Sequence, residues 1–218
     1  MNEEGQEAGG TARAARPYTA VIGILFLAAI VFAGINAINN KSSGLKPGQP
    51  VPKFAAPSAT GTLIGDANVT PNRACSVHGK DVINICDYFN RPLVLTVWFS
   101  RCGGHCEPQL DRIEQIRTRF PKVAFVGLDV RESLDNARKR VLKHGWRFPM
   151  ALDRDGAVSA LYGVIVGPTT YFIYPRARTG EAGVLRKEVR HELDIPALTA
   201  EVRALVNASQ RRRAERRG

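Results

Sequence analysis

The stretch Pro92–Leu110, PLVLTVWFSRCGGHCEPQL, decides the fold. Pro92 to Phe99 is almost continuously apolar and rich in β-branched and aromatic side chains. Such a run fits a central strand buried on both faces. Cys102 and Cys106 follow directly, with three residues between them. From Gln109 to Phe120, Leu110, Ile113 and Ile116 recur at helical spacing and Pro121 closes the segment. The order is therefore strand, cysteine pair, helix.

That order has a chemical consequence. The first turn of a helix carries unsatisfied N–H groups and partial positive charge, which stabilise a nearby thiolate and lower the thiol pKa. Arg101, beside Cys102, acts in the same sense if its head group turns toward the sulfur. Pro108 has no N–H and is disfavoured in a helix interior. Gly103-Gly104 weakens helix where it stands. The regular helix is therefore expected to begin near His105 or Cys106, with Pro108 in its first turn. Cys102 then sits on the loop ahead of it, and the glycines let the two sulfurs meet. A reversible disulfide, a soft metal site and a structural staple all fit this pattern.

Outward from this stretch, strands and helices alternate. Asp81–Phe89 reads as a short strand leading into a turn, Val123–Val130 as a second buried strand, and Ser133–His144 as a helix closed by Gly145. Met150–Leu152 is a short extended piece, and Ala157–Tyr162 a short helix. Thr169–Tyr174 and Val184–Val189 read as a strand pair, and Ile195–Val206 as a last amphipathic helix. Alternating strands and helices imply a parallel region; the late strand pair implies an antiparallel edge.

Residues 18–38, YTAVIGILFLAAIVFAGINAI, are 21 residues without a charge. A helix of that length reaches roughly 30 Å, the thickness of bilayer hydrocarbon. A transmembrane helix is expected there, and a short tail ahead of it fits an N-in signal anchor. The resulting organisation is a disordered cytosolic tail (1–17), a transmembrane helix (18–38), a Pro-, Gly- and Ser-rich linker (39–58), a folded domain (59–207) and a basic disordered tail (208–218). The formal net charge is +11, and the last eight residues, RRRAERRG, hold five arginines and one glutamate. They read as a solvated terminus or as a contact for anionic headgroups. No nucleic-acid motif accompanies them, which speaks against a nucleic-acid partner.

Four cysteines allow three pairings. Cys75 and Cys86 flank the Gly79-Lys80 turn signal, and a hairpin there would set them opposite each other. A structural Cys75–Cys86 disulfide is expected, which requires an oxidising compartment and so supports an extracytoplasmic domain.

With HGKDVINICDYFNRPLVLTVWFSRCGGHC and YGVIVGPTTYFIY on the page, residues 50–207 resemble membrane-anchored thioredoxin-like proteins, the TlpA-like disulfide reductases and related redoxin-domain proteins. The resemblance implies an α/β thioredoxin-like fold with a mixed central sheet. It implies thiol–disulfide oxidoreductase activity on protein thiols or disulfides, with Cys102 and Cys106 catalytic and no organic cofactor. It also implies a cis-proline loop facing the cysteines, matched by Pro168, with Gly167 and Thr169 beside it to hold substrate. The family motif has two residues between its cysteines and usually a tryptophan before the first; here there are three, and Arg101 precedes. The CxxxC spacing is similar to that of Sco-type copper chaperones, so a copper carrier is the rival reading. The matching loop, Val164–Thr170, lacks their histidine. A non-catalytic interaction domain is a further alternative. A peroxiredoxin would need a threonine three residues before its reactive cysteine and a proline four further back. Before Cys102 those positions hold Phe99 and Leu95; before Cys106 they hold Gly103 and Phe99.

Overall fold

The computed structural model of the protein describes residues 23–31, 44–102, 104–216 and 218. The chain divides into two units, Met1–Ser42 and Ser43–Gly218. In the first, residues 23–31 form helix α1, with exposed side chains. Among the described residues no helix is long and apolar enough to cross a membrane. The expected tail at 1–17 lies wholly outside the described residues, and so does much of the expected span at 18–38.

The second unit is built on a five-stranded sheet. Its strands are β3 (Leu93–Phe99), β4 (Ala124–Val130), β5 (Met150–Asp153), β6 (Thr169–Tyr174) and β7 (Val184–Val189), in the order β5-β4-β3-β6-β7. β3, β4 and β5 are parallel; β6 and β7 add antiparallel. This is the α/β thioredoxin-like arrangement with a mixed sheet. Successive side chains of β3 point to opposite faces. Val94 and Trp98 face a core made with α2 (Cys106–Arg117), α3 (Leu134–His144) and α5 (Ile195–Glu215). Leu93, Leu95 and Val97 face a second core with Phe54, Ile85, Phe89 and the short helix α4 (Ala157–Leu161). Covering both faces is what requires the uninterrupted apolar run.

Helix ends follow local chemistry. The Ser133 side chain accepts from Asn136 N–H at the start of α3, and Gly145 closes it in the left-handed conformation, φ 68°. The Asp194 carboxylate accepts from Ala197 N–H at the start of α5.

Three expectations require correction. The linker does not extend to residue 58. Val51, Phe54, Ala55 and Ala56 are buried, and β1 (Ala55–Pro57) pairs antiparallel with β2 (Val82–Asn84). The domain therefore begins ahead of residue 59. The prolines that suggest a tether are compatible with a two-stranded ribbon, where few ladder bonds are lost. The basic tail from 208 is not disordered, because α5 continues to Glu215. Ser209 is buried and donates to the Leu205 carbonyl at 2.7 Å, and the Arg212 guanidinium lies 4.4 Å from the centre of the Tyr174 ring. The segment around Cys75 and Cys86 is not a hairpin. Ala74–Ser76 and Ile85–Tyr88 are 3-10 turns, and only Val82–Asn84 is strand. The Asn84 amide spans them, donating to the Ala74 and Val77 carbonyls at 2.9 Å each.

Candidate active site

β3 delivers the chain to the site. Beyond Phe99, Cys102 N–H donates to the Phe99 carbonyl at 3.2 Å and His105 N–H to the Cys102 carbonyl at 3.4 Å. Two turns thus precede the helix. α2 starts at Cys106, with His105 as its cap residue, so Pro108 falls in the first turn, where its missing N–H costs no hydrogen bond. Gly104 supplies a positive φ of 83° within the loop. Cys102 and Cys106 are joined as a disulfide, Cα atoms 6.0 Å apart. Their environments differ: Cys106 is 1% exposed within the core, whereas Cys102 is partly open to solvent.

The loop ahead of β6 closes the other side. The Gly167–Pro168 bond is cis. Gly167 packs so tightly that a Cβ there would stand 3.0 Å from the Cys106 sulfur and 2.8 Å from a Phe99 ring carbon. Pro168 and Thr169 are buried, and the Thr169 hydroxyl donates to the Val166 carbonyl at 2.7 Å. Ile165 and Val166 are exposed. Cys102, Cys106, Gly167, Pro168 and Thr169 thus converge on one end of the sheet. Cys75 and Cys86 form a separate disulfide, Cα atoms 5.5 Å apart, within the other core.

Charged side chains fix the start of α2. Glu192 accepts from Arg112 at 2.7 Å and meets His105 Nδ1 at 3.3 Å. These two bonds hold the Glu192 carboxyl below the usual carboxylate range. The Gln109 side-chain oxygen accepts from Leu193 N–H at 2.7 Å, tying the helix to the loop after β7. Glu107, next to Cys106, is paired with Arg140 and lies 3.4 Å from His144 Nε2. Asp111 accepts from Trp146 Nε1 at 2.7 Å, and Trp146 packs edge-on against Trp98, ring centres 5.4 Å apart. Among the described residues no group of three or more His, Cys, Asp or Glu side chains is arranged to hold a metal ion.

Sequence reading missed Asp129. It lies opposite Trp98 at the end of β4, fully buried, and accepts from the Ser100 hydroxyl at 3.4 Å. Its second oxygen has no partner among the described residues. Burial pushes its carboxyl up to about 8; Glu132 adds to this, while Arg140 and Ser100 act against it. The available signal was a single acid inside the apolar run VAFVGLDV, where an unpaired charge is costly.

Comparison with known proteins finds relatives over much of the chain. A Pasteurella multocida protein bearing the name thiol:disulfide interchange protein DsbE-2 is 27% identical over 176 residues, 79% of this chain and 82% of that protein. The thiol-disulfide oxidoreductase ResA of Bacillus thuringiensis subsp. konkukian is 26% identical over 93 residues, 42% of this chain. That match spans about half, 53%, of the length of ResA. Among solved structures, a Chlorobium tepidum chain described as a thiol:disulfide interchange protein DsbE superposes with a TM-score of 0.58 at 20% identity. The superposition covers 74% of this chain and 99% of that one. Residues 47–178, more than half of the chain and spanning both the cysteine pair and the proline loop, match the AhpC/TSA family, and the protein belongs to it.

Proposed function

We propose that this protein is a membrane-anchored, extracytoplasmic thiol–disulfide oxidoreductase that acts on protein substrates through Cys102 and Cys106. The observation that carries this reading is the unequal exposure of two bonded sulfurs at the start of one helix. A substrate can approach Cys102, whereas Cys106 is 1% exposed and is approached only from within.

In the reducing direction, the Cys102 thiolate attacks one sulfur of a substrate disulfide. A Cys102–substrate disulfide forms, and the other substrate sulfur leaves as a thiolate and takes up a proton. The Cys106 thiolate then attacks the Cys102 sulfur, releasing the second substrate thiolate. The substrate gains two electrons, and the Cys102–Cys106 pair loses them. The oxidising direction is the same sequence reversed, and the relative reduction potentials choose between them. Partial positive charge at the start of α2 favours the thiolate in either direction. Pro168, Gly167 and Thr169 border the sulfurs and would hold the substrate chain, with exposed Ile165 and Val166 as apolar support. Residues 18–38 supply the anchor, and the Cys75–Cys86 bond fits an oxidising compartment.

A redox titration of the full chain, with thiol trapping and mass analysis, tests the activity. The expected result is one reversible two-electron transition confined to Cys102 and Cys106. A pair that cannot be cycled contradicts the reading.

A further inference from the structure

The end of the sheet opposite the cysteines carries charge that the redox reading does not use. Two adjoining cavities, about 260 and 400 Å³, open there and share Asn90, Pro175, Ser209 and Arg213. Six cations line them: Arg91, Lys122, Arg176, Arg212, Arg213 and Arg216. Among the described residues no acidic side chain does. Elsewhere in the domain some cations are matched, as in Arg112–Glu192, Arg117–Glu114, Arg140–Glu107 and Arg186–Glu201, while others, such as Arg119, Lys139 and Arg154, have no ion-pair partner among the described residues. None of the six groove cations has such a partner among the described residues.

Arginines in the last turn of a helix also offset its negative end. That accounts for Arg212 and Arg213 on α5, but not for the groove. Arg91 precedes β3, Lys122 precedes β4 and Arg176 follows β6. Four separate segments bring positive charge to one place. Arg212 is steadied by the Tyr174 ring at 4.4 Å. One face is occupied, and among the described residues its N–H edge has no acidic partner, which leaves it for a planar, two-pronged contact.

We propose that this groove docks on the phosphate headgroups of an anionic phospholipid bilayer. Charge complementarity supports a phosphate-bearing surface. The uncharged stretch at residues 18–38 of the same chain favours a bilayer over a nucleic acid. β3 runs from the groove end at Leu93 to the site end at Phe99, roughly 20 Å at the usual rise per residue. Docking therefore turns Cys102 away from the bilayer, toward soluble substrate proteins. This orientation rests on the redox reading; the lipid contact itself does not.

Amide hydrogen exchange of the full chain, with vesicles of phosphatidylcholine alone or with about one-third phosphatidylglycerol, tests it. Exchange at residues 90, 91, 122, 176 and 177 is expected to slow severalfold with the anionic lipid only. About 0.5 M salt should remove the effect. Arg91→Gln with Arg213→Gln should weaken binding to the anionic vesicles roughly 25-fold, at about fivefold per cation, and so abolish the protection. Cycling of Cys102–Cys106 and exchange in β3 should stay as in the parent. Equal exchange on both lipids overturns the proposal. So does protection reproduced by inorganic phosphate without anionic lipid, which would make the groove a free-phosphate site. The comparison reads the groove whether or not residues 18–38 insert, and independently of the redox titration.

Discussion

Gly167 lies against Cys106: a Cβ at residue 167 would stand 3.0 Å from the Cys106 sulfur. The loop before β6 and the start of α2 therefore meet with no room for a methyl group. Gly167→Ala must displace either the sulfur or the Phe99 ring, which would stand 2.8 Å from the new Cβ. Overpacking of this kind costs about 1–3 kcal/mol. The expected outcome is a lower melting temperature and slower exchange with a model disulfide, measured side by side. An unchanged rate would mean that the loop does not bear on the pair.

Asp129 predicts a pH dependence of stability. Its carboxyl is pushed up to about 8 in the folded protein, chiefly by burial, from the ordinary aspartate value of 3.8. Between these values the folded protein holds a proton that the unfolded chain has released, so stability falls as pH rises. The favourable contribution is complete below about pH 4 and lost by about pH 8. Its full size is on the order of 5 kcal/mol. Asp129→Asn, neutral throughout, should melt progressively above the parent as pH rises from 5 to about 8. A constant difference across that range would show that Asp129 does not titrate this way.

The Cys75–Cys86 bond closes a loop of sequence separation 11 between two 3-10 turns. For a loop of that size, the chain-entropy contribution is about 3 kcal/mol. Cys75→Ser with Cys86→Ser should lower the denaturant midpoint accordingly and leave the Cys102–Cys106 titration in place. Loss of that titration in a folded double variant would show that the two disulfides work as one system.

Glu107 follows Cys106, and its negative charge opposes a thiolate there. Arg140, paired with it, offsets that charge. Arg140→Ala should therefore disfavour the Cys106 thiolate and slow its release of substrate from a Cys102–peptide disulfide severalfold near neutral pH, measured by mass analysis. Glu107→Gln should act in the opposite sense. Equal release rates would remove Glu107 from the electrostatics of the site.

Much of this was legible in the sequence, for physical reasons. β3 announces itself because both its faces are buried, and the start of α2 follows from Gly103-Gly104 and Pro108. Other features depend on distant partners. Val51 and Phe54 are core residues, yet they lie among prolines and glycines whose composition suggests a tether. The helix beyond Val206 is held by burial of Ser209 and by Tyr174, neither visible in RRRAERRG. The 3-10 turns around Cys75 and Cys86 are joined by Asn84, a side-chain bridge that no periodicity reveals. The family resemblance reached the proline loop, but only the fold brings Gly167 against Cys106.

The most direct test of the central claim is mixed-disulfide trapping with a disulfide-bonded peptide. The reduced Cys106→Ser variant should accumulate a stable Cys102–peptide adduct, seen as a mass increase. The Cys102→Ser variant, in which the remaining sulfur of the pair, Cys106, is buried, should form little. Equal trapping by both variants, or preferential trapping at Cys106, would contradict the assignment of Cys102 as the attacking sulfur.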